Sequence, residues 1–204
     1  MTDTSQSIRD DIAFLRDLAR DDGAGLARDG AAMVCVGGVF GVVTFVYWLM
    51  FSGYWPVLPQ LGPWLWVAGV GAMIVISMVL KGRLPPAAGA TSRAIAAAWS
   101  GVGVSLIAPC VGLIFGGARI GAPQLVLWIF PVIMFTLYGV GWAVAMTVKR
   151  RAWFALVSAG CFATALVEGA LVSSAYQWLV LSAGLVLWVA MPGVAILRQA
   201  RAAA

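Results

Sequence analysis

The chain has no histidine, three cysteines and eight acidic residues in 204, and its charged residues amount to 10% of the total. Soluble domains carry about 25% charged residues. With 62% hydrophobic residues and a mean hydropathy of +0.96, this sequence has more apolar surface than a soluble chain can keep out of water. That excludes a soluble enzyme, a nucleic-acid-binding domain and a disordered regulator together. General acid–base chemistry needs positioned titratable partners, and beyond residue 30 the only acid is Glu168. No enzymatic activity, cofactor or metal centre is therefore expected. Cys35, Cys110 and Cys161 lie within apolar segments at no ligand spacing and read as small core residues.

What remains is long apolar runs. About 20 apolar residues are needed to cross roughly 30 Å of hydrocarbon at about 1.5 Å per residue. Six stretches qualify: 31–50, 64–80, 94–115, 125–148, 152–172 and 176–197. They are continuously apolar rather than alternating, which favours helices over a membrane barrel. Lys and Arg set the orientation, because cytoplasmic loops collect them. With the N-terminus inside, Arg9, Arg16, Arg20, Arg28, Lys81, Arg83, Arg93, Lys149, Arg150, Arg151, Arg198 and Arg201 are cytoplasmic, and Arg119 alone lies outside. The expected fold is an all-α polytopic bundle of six transmembrane helices arranged as three hairpins, with both termini cytoplasmic. The expected organisation is an acidic N-terminal segment over 1–30, a membrane domain over 31–197 and a cytoplasmic tail over 198–204. The location implied is a membrane with both termini on its cytoplasmic side, and the first run is expected to be retained as a span rather than cleaved as a signal peptide.

Residues 1–30 hold seven Asp and four Arg, a net charge of −3 against +8 for the remainder. Ser7-Ile8-Arg9-Asp10 fits an acidic capping box, and the carboxylates of Asp10 and Asp11 favour the positive end of a helix dipole. A short amphipathic helix is predicted from about Ser7 to Arg20, with Ile8, Ile12, Leu15 and Ala19 on one face. Gly23 and Gly25 then loosen the chain ahead of the first span. This helix either folds back on the basic loops or docks a cytoplasmic partner through anchors at i, i+4 and i+7. The partner contacts assigned to it are Ile8, Asp11, Ile12 and Leu15.

Within the spans, an ionisable group marks a functional-site hypothesis by default. Glu168 lies about 24 Å along the fifth run, near its outer boundary, at a height similar to Arg119. The two either form a structural ion pair or Glu168 faces a ligand. Pro109, Pro131 and Pro192 interrupt three runs, and each frees a carbonyl that a neighbour must satisfy. After Pro131, Tyr138 and Trp142 share a face at i and i+4, and with Thr136 they form a candidate polar surface for packing or ligand contact. Tyr47, Trp48, Phe51, Tyr54, Trp55, Trp64 and Trp66 crowd the outer end of the first hairpin, with Trp128, Tyr176 and Trp178 at related heights. They read as an interfacial belt or as an aromatic recess for a hydrophobic ligand. Gly37 with Gly41, and Gly112 with Gly116, are small-xxx-small pairs for close helix approach, within the chain or in a homo-oligomer.

Four phrases go further: Asp10 to Arg16 (DDIAFLR), Arg93 to Gly103 (RAIAAAWSGVG), Phe130-Pro131 through Leu137 to Trp142 (LYGVGW), and Met191-Pro192-Gly193. They resemble an uncharacterised family of small six-span bacterial integral membrane proteins. The resemblance implies a membrane partner for a cytoplasmic transcriptional regulator and carries no activity onto these positions. The leading expectation is a membrane-embedded sensor or regulatory protein that docks a cytoplasmic partner through the N-terminal helix and basic loops. Alternatives are a small-molecule transporter or lipophilic-ligand-binding membrane protein, and an accessory subunit of a membrane complex. The partners expected are the lipid bilayer, a cytoplasmic regulatory protein and a small lipophilic ligand. Direct nucleic-acid binding is not expected, since the chain has no nucleic-acid fold or Arg-rich arm.

Overall fold

The computed structural model describes residues 23–55, 61–83 and 90–202, and all regular structure among them is helical. The helices are α1 (Gly23–Phe51), α2 (Gly62–Arg83), α3 (Ala90–Arg119), α4 (Leu125–Lys149), α5 (Trp153–Ala170), α6 (Tyr176–Leu185) and α7 (Met191–Ala202). A π-helical turn, Val186–Ala190, joins α6 to α7. Together these three form one long element, and among the described residues six helices are long and apolar enough to cross a membrane. The chain is that of a small polytopic membrane protein. The N-terminal helix predicted over 7–20, with Ile8, Asp11, Ile12 and Leu15, lies outside the described residues.

The core is built by α1, α4, α5 and the α6–α7 element, while α2 packs chiefly on α1 and α3 chiefly on α4. Their outward faces are apolar: Val70, Ile74, Val75 and Met78 of α2, and Val104, Ile107, Val111 and Phe115 of α3, are all exposed. In water such continuous apolar faces would be a large liability. Lipid tails solvate them at no such cost, which is the physical reason these helices need little burial.

Close packing of α1 on the α6–α7 element depends on missing side chains. A Cβ on Gly37 would sit 2.5 Å from the Ala190 amide nitrogen and 2.7 Å from the Leu185 carbonyl oxygen. Gly30 and Gly193 face each other in the same way, each Cβ position within 2.9 Å of the other's carbonyl oxygen. Gly41 leaves its carbonyl open to Ser182, whose hydroxyl donates to it at 2.8 Å. The Gly37 and Gly41 pair is thus spent within the chain. Gly112 and Gly116 have nothing within 4 Å of a Cβ.

The prolines are accommodated rather than avoided. α3 and α4 run through Pro109 and Pro131 without a break, and the π turn immediately precedes Pro192. In α-helical register Pro192 has no N–H to offer the carbonyl of Trp188. The Trp142 indole of α4 takes that place, its Nε1–H donating to the Trp188 carbonyl at 3.1 Å. Trp188 in turn donates its indole N–H to Thr164 Oγ1 at 2.9 Å, and Thr164 donates to the Gly160 carbonyl at 2.9 Å. Gly160 leaves room for the Trp188 ring, which lies 2.5 Å from where its Cβ would be. One proline therefore organises a hydrogen-bonded seam through three elements.

At the end of the bundle that carries the α4–α5 connection, Arg150 adopts a left-handed conformation (φ 50°) and closes α4, its N–H donating to the Met146 carbonyl. Arg151 donates to the Gln199 side chain, which ties this connection to α7.

Candidate functional site

The half of the bundle bearing the α3–α4 and α5–α6 connections contains a cavity of about 350 Å³. Its floor is α1 and α6, through Val36, Phe40, Thr44, Trp178, Leu181 and Leu185. α4 supplies one wall with Leu127, Phe130, Pro131, Met134 and Tyr138, and the flanks are Trp66 of α2 with Leu106 and Cys110 of α3. α2 leans on α1 and α3 on α4, so these two helices flank the cavity. The lining is almost wholly carbon. Thr44 does not offer its hydroxyl to the space, since it donates to the Phe40 carbonyl of its own helix at 2.8 Å. Pockets for small molecules are of this size and polarity, with a few polar groups to fix orientation.

Aromatic residues expected at this end divide into two sets. Tyr54, Trp55, Trp64 and Tyr176 are exposed, as an interfacial belt requires. Tyr47, Trp66 and Trp178 turn inward instead, with ring centroids 4.8 Å apart for Tyr47 and Trp178 and 5.9 Å for Tyr47 and Trp66. The aromatic residues of this end thus supply both exposed rings and rings turned into the bundle.

A search against protein-family models, curated proteins and solved structures finds no match. The chemistry of the site rests on its own residues.

Tyr138 lines the cavity, with its ring edge-on to Trp99 at 5.8 Å. Trp142, one turn further along, is buried against Phe154 and Trp99 and committed to the Trp188 carbonyl. The two share a helix face yet divide its roles, one at the cavity and one in the seam. Thr136 faces outward and donates to the Val132 carbonyl at 2.8 Å, so it is no part of an inward polar surface.

Arg119 and Glu168 are not brought together. Arg119 ends α3 on an exposed surface. Glu168, in the last turn of α5, is 0% exposed, and neither carboxylate oxygen has a hydrogen-bond partner among the described residues. Gln177 of α6 lies beside it, and its Nε2 donates one of its two N–H groups to the Trp128 carbonyl at 2.7 Å. Pro131 leaves the carbonyl of Leu127, the residue before Trp128, without its α-helical donor.

Reading the sequence residue by residue missed Phe40, Leu106, Phe130, Met134 and Leu181, which in one dimension are ordinary apolar residues. Gln177 carried a signal: it is the one side-chain amide inside the six apolar runs. Cys110, a half-buried free thiol, also lines the cavity, whereas Cys161 is fully buried in the core.

Proposed function

We propose that this protein is a membrane-embedded sensor that binds a small, uncharged lipophilic ligand in the cavity between α1, α4 and α6. The observation that carries the reading is the carbon-lined space of about 350 Å³, flanked by two little-buried helices. An apolar cavity of about 150 Å³ holds benzene, so this one suits a ligand of roughly twice that bulk, entering sideways from the bilayer. Binding is favoured over translocation, because the other half of the bundle is filled by Trp142, Ala145, Phe154 and Ile196 around a space of about 20 Å³. In this reading the cavity lies in the outer half of a bacterial inner membrane, with both termini and the basic loops cytoplasmic.

The output is a soluble regulatory protein docked on the cytoplasmic face by Ile8, Asp11, Ile12 and Leu15, with the basic loops completing the surface. A ligand that wedges α3 or α2 outward shifts the loops beyond them, and only a ligand with different affinities for the two arrangements can do so.

The test uses phenyl(trifluoromethyl)diazirine partitioned into proteoliposomes of the full chain. Photolysis is expected to mark Phe130, Met134 or Tyr138 on the cavity wall, and Met134→Trp, which fills the space, is expected to remove that mark. Labelling confined to the exposed faces of α2 and α3 would refute a ligand cavity. For the output, Ile12→Asp is expected to abolish recovery of the cytoplasmic partner with membrane insertion intact; unchanged recovery would remove the docking role.

A further inference from the structure

Glu168 is set apart from the cavity, among Trp128 of α4 and Gln177 of α6, whose sequence neighbours Leu127 and Trp178 face the cavity instead. The oxygen balance of this cluster is unusual. Both carboxylate oxygens are buried without a hydrogen bond. The Trp128 carbonyl can only accept, so the Gln177 side chain is fixed with Nε2 toward it and with its own Oε1 as a further acceptor. Several oxygens thus share the two N–H groups of one amide, of which the Trp128 carbonyl takes one. An ionised carboxylate taken out of water without a compensating partner costs several kcal/mol. Well-packed buried carboxylates have several donors or a counter-ion; here the nearest donor is the second N–H of the Gln177 amide, and no counter-ion is provided by the described residues.

We propose that Glu168 and Gln177 form an intramembrane binding site for one small monovalent cation, a proton or Na⁺. Oxygen-only coordination selects hard cations. One carboxylate balances one positive charge, whereas a divalent ion would leave net charge in hydrocarbon. The site sits in the last turn of α5, next to the short connection 171–175 at that end of the bundle. The titratable or charged groups on the elements packed against α5 are Tyr138 and Lys149 of α4 and Tyr176 of α6, with Cys161 on α5 itself. Tyr138 and Cys161 lie two turns deeper, Lys149 is at the opposite end and Tyr176 is exposed. None of them hydrogen-bonds the carboxylate.

The experiment is labelling by dicyclohexylcarbodiimide, a lipid-soluble reagent, on the full chain in proteoliposomes. The carboxylic acid O–H adds across one C=N bond of the reagent, and acyl transfer to nitrogen leaves an N-acylurea that retains every atom of both reactants. Peptide mass spectrometry is expected to find the adduct at Glu168 and to lose it in Glu168→Gln. The rate is expected to fall by about tenfold for each pH unit above the transition. At fixed pH and ionic strength, Na⁺ in place of choline is expected to slow labelling if Na⁺ is the occupant; a pH dependence indifferent to Na⁺ assigns the site to a proton. Gln177→Leu is expected to shift the profile, and an unchanged profile would overturn its place in the site. A rate flat in both pH and Na⁺ would overturn the proposal. So would absence of label together with a melting temperature whose response to pH and Na⁺ matches that of Glu168→Gln.

Discussion

Replacing Trp142 by Phe removes the indole N–H that reaches the Trp188 carbonyl at 3.1 Å. Two losses are mixed in that substitution. The smaller ring packs less well against Phe154 and Trp99, whose centroids lie 5.4 and 5.2 Å from it. The carbonyl also loses a donor that Pro192 cannot replace. Side-chain hydrogen bonds within membranes average about 0.6 kcal/mol and reach about 1.7, while a buried acceptor left with no partner costs about 1–3 kcal/mol. Pro192→Ala separates the two losses, because it restores an amide N–H in register with the Trp188 carbonyl. The packing loss is common to both backgrounds and cancels in a double-mutant cycle. Trp142→Phe is expected to cost about 1 kcal/mol less in the Pro192→Ala background than in the wild type, about a fivefold difference in the unfolding equilibrium. Reversible unfolding in mixed micelles with increasing dodecyl sulfate, followed by far-ultraviolet circular dichroism, measures it. Additivity within about 0.3 kcal/mol would refute the pairing of indole and proline.

The two glycine pairs give opposite expectations in the same assay. Gly37→Ala drives a Cβ into the backbone of the α6–α7 element at 2.5 Å and is expected to cost more than about 3 kcal/mol, among the largest single-residue effects. Gly112→Ala, with open space around it, is expected to be neutral or to stabilise by about 0.5–1 kcal/mol through helix propensity; a loss of stability there would reveal a covering partner. Thr164→Val removes the acceptor of the Trp188 indole and is expected to lower stability by about 1 kcal/mol. Leu106→Trp, which fills the flank of the cavity without touching the core, is expected to block the diazirine mark at Met134 with an unchanged melting temperature.

Some of this was legible in one dimension because it follows from solvent alone. Hydrocarbon demands long apolar helices, so the six runs from 31–50 to 176–197 reappear in the structure with ends shifted by a few residues. Pro192 announced an orphan carbonyl. It could not name Trp142, which lies 46 residues from Trp188 and is chosen by the packing of α4 on the π turn. Gly37–Gly41 and Gly112–Gly116 carry one pattern and meet different fates, since a small-xxx-small pair records permission for close approach and not the neighbour that uses it. The cavity was least legible, because it is a space left between helices. Apolar residues such as Phe40, Leu106 and Met134 look alike whether they fill a gap or surround one. Glu168 was singled out on chemical grounds, and its full burial beside Gln177 depends on where α5 ends relative to α6.

The pairing of α1 with α6 and α7 also bears on how the molecule is made. Ser182 and the Gly41 carbonyl it bonds are separated by 141 residues, and ribosomes add roughly 5–20 residues each second. α1 therefore waits on the order of ten seconds or more for the α6–α7 element. During that interval the groove at Gly30, Gly37 and Gly41 has only lipid or another newly made chain against it. Biogenesis of this protein is thus most vulnerable early, and a ribosome stalled before residue 176 leaves behind the surface most prone to pairing with the wrong helix.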